Sequence, residues 1–188
     1  MTRLVAPHLR HQESYLTASD EFLASREQRD GDGDWVHEPE PGYAGFSFTR
    51  ESLRDPEEFA RFVALRRRAR DDDAPRRHAW TPVTFLWMVV GDEYVGSMAI
   101  RHRLTDRLLE EGGHIGYSVR PTARRRGHAS RALARALVLA HGVVDGPSVL
   151  VTCLEENVGS RAVIEGNGGE YEDSRNGVRR YWIPTRPA

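Results

Sequence analysis

The sequence predicts an α/β layer fold in which about four helices flank a mixed sheet. Three observations carry that reading. Alternating and helical apolar periods follow one another in the order β-α-α-β-β-β-α-β-α-β-β. A length of 188 residues suits one domain, and 39% hydrophobic content can fill one core.

A short strand over residues 3–6 opens the chain. From Pro7 to about Arg29, Tyr15, Leu16, Phe22 and Leu23 recur at near-helical spacing among charges, predicting a first amphipathic helix. The run Asp30-Gly31-Asp32-Gly33-Asp34 and the Pro/Gly-rich stretch from His37 to Gly45 predict a long loop, of the kind that is often functional. Asp55 is placed to cap a second helix, with Pro56 in its first turn, Glu58 at the capping-box position and Phe59, Phe62 and Val63 on its apolar face. Arg66 to Arg70, followed by Asp71 to Asp73, read as its solvated end.

From Val83 the pattern turns to β. Val83 to Val90, a Gly91-Asp92 turn and Glu93 to Arg103 predict a hairpin. In His114 to Val119, Ile115, Tyr117 and Val119 fall on one face of a strand and His114, Gly116 and Ser118 on the other, until Pro121 stops it. Residues 127–141 carry the clearest helical stripe, Ala129, Ala132, Leu133, Ala136, Leu137 and Ala140, with Gly142 placed as its C-cap. A buried strand over Ser148 to Leu154, a short helix from Asn157 to Gly166, and two strands around a Gly177 turn complete the chain.

Composition removes several function classes. The formal charge of -1 gives the molecule no overall field to recruit nucleic acid or an anionic membrane. All 27 basic residues are arginine, so Schiff-base and pyridoxal chemistry and the Walker lysine are excluded. Cys153 stands alone, which rules out an internal disulfide or a multi-thiolate zinc site and fits a reducing cytoplasm. The start, MTRLVAPHLRHQ, has no apolar core of a signal peptide, and the longest apolar run, Phe85 to Val90, is too short to span a bilayer. Asp30 to Asp34 suggests a calcium loop, but Trp35 and Pro41 stand where glycine and glutamate are needed. The histidines show no paired ligand spacing, so no metal is expected.

Chemistry concentrates between the strand at Val119 and the helix at Gly127. Arg120, Arg124, Arg125, Arg126, Arg131 and Arg135 fall there or just after, with no acidic residue between 120 and 135. A strand feeding a short glycine-containing loop into a helix N-terminus presents free N–H groups to phosphate. An arginine- and alanine-rich helix facing water would show the same composition.

Arg124-x-x-Gly127-x-Ala129 resembles the pyrophosphate loop of the Gcn5-related N-acetyltransferase (GNAT) superfamily. Gly113 to Pro121 is similar to that superfamily's central strand, and Asn157-x-x-Ser160 with Asn167-Gly168-Gly169 to its next helix and exit. The match covers residues 83–184. It implies one N-acetyltransferase domain over 1–188, with an acceptor-side part at about 1–80, an acyl-CoA core at about 83–184, and a mostly antiparallel sheet splayed at the acyl-CoA site. It further implies that backbone of Tyr117, Ser118 and Val119 pairs with the pantetheine arm. Arg124, Arg125, Arg126, Gly127, His128 and Ala129 would hold the pyrophosphate, and Asn157 and Ser160 would line the thiol end.

Many members protonate the departing thiolate with a tyrosine seven residues after the helix asparagine. Here that residue is Ile164, so Ser160 is the expected acid. His114 stands near the superfamily's strand glutamate and is the expected base, with Glu111 and Glu155 in reserve. The activity implied is transfer of acetyl from acetyl-CoA to a primary amine of a small molecule or peptide. The alternative is a non-catalytic acyl-CoA-binding or regulatory module. Residues 11–60 hold thirteen acidic and four basic residues, a wall suited to a cationic amine or a merely solubilising one. Neither nucleic acid nor membrane is an expected partner; a homodimer is left open.

Overall fold

The computed structural model describes residues 1–27 and 29–187. Seven strands form one mixed sheet in the order β1-β4-β5-β6-β7-β9-β8, from β1 (Thr2–Val5), β4 (Val83–Val90), β5 (Glu93–Arg101), β6 (Ile115–Val119), β7 (Ser148–Leu154), β8 (Glu170–Arg175) and β9 (Val178–Pro184). A two-stranded ribbon, β2 (Val36–His37) with β3 (Phe46–Ser47), lies within the long loop. Every pairing is antiparallel except β6 with β7.

The helices α1 (Gln12–Ser25) and α2 (Pro56–Arg68) pack on one face, and α4 (His128–Ala140) and α5 (Val158–Glu165) on the other. The α4 stripe of Ala132, Leu133, Ala136, Leu137 and Ala140 meets Met98, Ile100, Ile115, Val149 and Val151 of the sheet and Ile164 of α5. Opposite, Tyr15, Leu16, Phe59, Phe62 and Val63 close over Trp87, Val89 and Tyr94. A buried polar knot joins this second core to the loop. Asp32 accepts the Tyr15 hydroxyl (2.6 Å), Ser97 Oγ (2.9 Å) and Trp35 Nε1 (3.3 Å), and Arg29 donates to Ser19 Oγ (2.7 Å) and the Tyr94 hydroxyl (2.9 Å). A carboxylate taken from water needs this many donors.

Several expectations need amendment. The first helix is shorter than predicted, and Leu23, in its last turn, is 76% exposed. Asp55 Oδ1 caps α2 through Glu57 N (2.8 Å) and Glu58 N (3.0 Å), but Glu58 pairs with Arg61 rather than closing a box. Arg66 is only 5% exposed: it lies over the Phe62 and Phe85 rings and donates to Asp34 O at 2.6 Å. A short helix, α3 (Asp106–Glu110), occupies part of the predicted polar loop, capped by Thr105. The end of α4 turns at His141 in right-handed geometry, so Gly142 supplies no left-handed cap.

Candidate functional site

The one parallel pairing in the sheet opens the site. β6 and β7 share a single registered pair, Ile115 with Val151, after His114 N–H bonds Leu150 C=O at 2.7 Å. Beyond it the strands no longer pair. Across β5 and β6 the bonded partners include Arg101 with His114 and Val95 with Arg120. Antiparallel alternation therefore turns the N–H and C=O of Tyr117 and Val119 toward the opening, and those of Gly116 and Ser118 toward β5. Of the three residues expected to offer backbone, Ser118 instead uses its hydroxyl on the opposite face, donating to Asp30 O at 2.7 Å.

At the end of β6 the arginine-rich loop leads into α4. Two of its four arginines hold it in place. Arg120 pairs with Glu21 and Glu93 at 2.7 Å each, and Arg124 donates to Val119 O (3.0 Å) and pairs with Glu27. Arg131 reaches back to Arg126 O at 2.5 Å. Arg125 and Arg126 are exposed. Gly127 is the N-cap of α4 with φ of 74°, and a Cβ there would stand 2.7 Å from Arg131 Nη1. The first bond along the helix is Arg131 N–H to Gly127 C=O, which leaves the His128, Ala129 and Ser130 amides at a positive helix end. His128 Nδ1 meets Thr2 Oγ1 at 2.8 Å, and its pKa is lowered by burial and by Arg131.

Across the opening from Val119 stands α5. Asn157 is its N-cap, accepting Ser160 N–H at 2.9 Å. Ser160 Oγ lies 2.8 Å from the Tyr117 hydroxyl, so a pair of hydroxyls bridges β6 and α5 where strand pairing has stopped. Burial pushes the Tyr117 phenol up, and it stays protonated across the working range. Ile164 is fully buried in the core, one turn beyond Ser160.

The other face of β6 carries His114 and the loop after α1. His114 is 4% exposed, and its Nδ1 accepts Leu150 N–H at 2.9 Å. That bond places the ring proton on Nε2. The neutral ring then has no free lone pair to take another proton. Burial, and secondarily the Arg101 guanidinium, lower its pKa to about 4. Glu111 is exposed and pairs with Arg107, and Glu155 is exposed at the turn after β7.

Gly31 rests directly on the central strand. Its φ is 78°, and a Cβ there would meet Gly116 O at 2.5 Å and Tyr117 Cα at 2.9 Å. Sequence reasoning missed this contact, the Tyr117 hydroxyl and Arg101. Alternate glycines in Asp30 to Asp34 were the available signal, since close backbone approach is a common use of glycine. Among the described residues, no group of three or more His, Cys, Asp or Glu is placed to hold a metal ion, and no helix is long and apolar enough to cross a membrane.

The family profile of the acetyltransferase (GNAT) domain matches residues 14–170. No curated protein matches the chain significantly. Solved structures resemble it at low identity. Mycobacterium smegmatis RimJ in complex with CoA-disulfide has a TM-score of 0.62 at 18% identity, over 97% of this chain and 81% of its own. The microcin C7 self-immunity acetyltransferase MccE, in complex with acetyl-CoA and AMP, has a TM-score of 0.59 at 12% identity, over 97% and 92%. RimL, a ribosomal L7/L12 alpha-N-protein acetyltransferase in complex with coenzyme A, has a TM-score of 0.58 at 15% identity, over 97% and 93%.

Proposed function

Because the chain belongs to the GNAT acetyltransferase family, we propose that it moves an acetyl group from acetyl-CoA directly onto a primary amine of a small molecule or peptide. Acetyl-CoA is the co-substrate of this acetyltransferase. The observation that carries the reading is the unpaired end of β6, with Tyr117 and Val119 facing the opening, the free amides of α4 at one end and the Ser160 and Tyr117 hydroxyls at the other.

The residues present fit an acyl-CoA. An extended amide chain can take the place of the missing strand partner, and an anionic group suits the first turn of α4. Gly127 keeps that approach clear, since a side chain there would already crowd Arg131. In this assignment Arg124 to Ala129 act through backbone amides, their loop fixed by the ion pairs of Arg120 and Arg124. Asn157 sets the first turn of α5 and so aims Ser160. Ser160 gives a proton to the leaving sulfur, with the Tyr117 hydroxyl next in line to restore it. His114 fixes the start of β6 against β7 as a neutral acceptor. Residues of about 1–80 would then form the acceptor side and about 83–184 the acyl-CoA side. The alpha-N-protein acetylation carried out by RimL supports including peptide N-termini among the amines tested.

A second reading, a binding module without turnover, is favoured by Ile164 being sealed in the core where many relatives place a tyrosine. Two measurements separate them. Acetyl-CoA raises the melting temperature with concentration, the gain reaching about 2.7 kcal/mol at a hundredfold excess over Kd. Thiol release then appears only when a competent amine is added from a panel of polyamines, amino-acid amides and short peptides. Stabilisation without amine-dependent release supports the module; no stabilisation overturns acyl-CoA binding itself.

A further inference from the structure

We infer that the Asp30 carboxylate receives the proton of the acceptor amine. The inference rests on the amine acetylation proposed above, and it starts from how the loop after α1 is fixed. Its backbone is spent on β6: Asp30 C=O accepts Ser118 Oγ at 2.7 Å, and Gly31 lies against Gly116 and Tyr117 with no room for a side chain. Asp32, two residues on, is turned inward and fully used by Tyr15, Ser97 and Trp35. Asp30 takes no part in that buried network. It is exposed, and among the described residues its carboxylate has neither an ion pair nor a hydrogen bond.

Position completes the case. The loop sits on the α1 and α2 face of β6, while Tyr117 and Ser160 join across the α4 and α5 face. A thioester held at the opening between β6 and β7 would therefore have a proton donor on one side of the strand and a free carboxylate on the other. The charged and titratable groups around Asp30 are Arg101 from β5, Tyr117 from β6, and Arg29 and Asp32 of its own loop. Arg101 is anchored on Gly112 O at 2.8 Å and Gly113 O at 3.2 Å, and so approaches Asp30 as a neighbouring charge without capturing it. Although the residue keeps an exposed edge, desolvation of its carboxyl beside β6 holds it above the ordinary carboxylate range, against the pull of Arg101. Its conjugate base is correspondingly stronger. Among the carboxylates weighed from sequence, Glu111 is paired with Arg107 and Glu155 lies past the end of β7.

The step balances without an added reagent. The amine nitrogen forms a C–N bond to the thioester carbonyl carbon, and one N–H proton passes to an Asp30 oxygen. The C–S bond breaks with its electron pair on sulfur, which takes the Ser160 proton. Asp30 returns its proton to water, and water restores the hydroxyl pair through Tyr117.

The test compares wild type with Asp30→Asn and Asp30→Glu, using acetyl-CoA and whichever amine of the panel wild type turns over fastest. Asp30→Asn is expected to bind acetyl-CoA as wild type does in calorimetry and to lower kcat about 10²-fold at pH 7, the low end for a lost general base. The deficit narrows above pH 9, where hydroxide substitutes for the missing base, and Asp30→Glu recovers part of the rate. An unchanged kcat, a loss confined to KM, or a deficit constant across pH overturns proton acceptance by Asp30 while leaving acetylation standing. Failure of wild type to release thiol with every amine overturns acetylation and this role together.

Discussion

Two loops meet at the central strand and are built in opposite ways. Residues 120–127 are rich in arginine, yet Arg120 and Arg124 are spent on Glu21, Glu27, Glu93 and Val119 O, and what the loop leaves open is backbone N–H beside the exposed Arg125 and Arg126. Residues 30–34 are rich in aspartate and glycine, yet here the backbone is spent on β6 and what is left open beside the strand is the Asp30 carboxylate. The charge visible in each segment is thus only a partial guide to what it offers a ligand. Within the acidic stretch over residues 11–60, Asp20, Glu21 and Glu27 pair with Arg50, Arg120 and Arg124.

The comparison breaks most readily at Gly127. Gly127→Glu places a carboxylate beside the free amides and a side chain in a left-handed position, so calorimetry should show acetyl-CoA affinity lowered by more than about 10³-fold, or about 4 kcal/mol. The melting temperature without ligand should fall by only a few degrees, since a side chain in left-handed geometry costs about 1–2 kcal/mol. Normal affinity would mean that the arginine side chains, not the amides, hold the phosphates.

On the α5 side, Ser160→Ala should reduce kcat about 10²-fold with acetyl-CoA binding nearly unchanged, because the lost interaction strengthens only as charge grows on sulfur. If kcat holds, proton delivery belongs to Tyr117 alone, and Tyr117→Phe should then carry the whole deficit.

The smallest effect sharpens the account of His114. A histidine whose folded pKa lies near 4 stays neutral while the unfolded chain takes up a proton below 6.5, so the unfolded state binds more protons in that window and stability falls as pH falls. Between pH 6.5 and 4.5 this one group should cost about 2 kcal/mol. His114→Gln should remove that share of the slope in urea unfolding while keeping an acceptor for Leu150 N–H. An unaltered slope would mean that the ring is already charged in the fold.

What could be read in advance was what local period dictates. Alternation placed Tyr117 with Ile115 and Val119, the α4 stripe fell on the core, and Asn157 and Gly127 stood at helix starts, since each depends on residues within a turn or two. What escaped depends on distant partners. Arg66 reads as a solvated cation until Phe62, Phe85 and the Asp34 carbonyl surround it. The hydroxyl partner of Ser160 lies 43 residues earlier in the chain. α3, with five residues, is too short to show a period.

The single registered pair between β6 and β7 has one more consequence. It divides the sheet into a four-stranded half and a three-stranded half joined along a seam that backbone bonding scarcely stitches. Side chains do the stitching: Leu133 and Leu137 of α4 belong to one apolar cluster with Ile115 from one half and Val149 and Val151 from the other. The width of the slot is therefore a property of the hydrophobic layer beneath it. Methyl groups that no ligand ever touches set its compliance, and amides along the seam should be the first of the sheet interior to exchange with solvent.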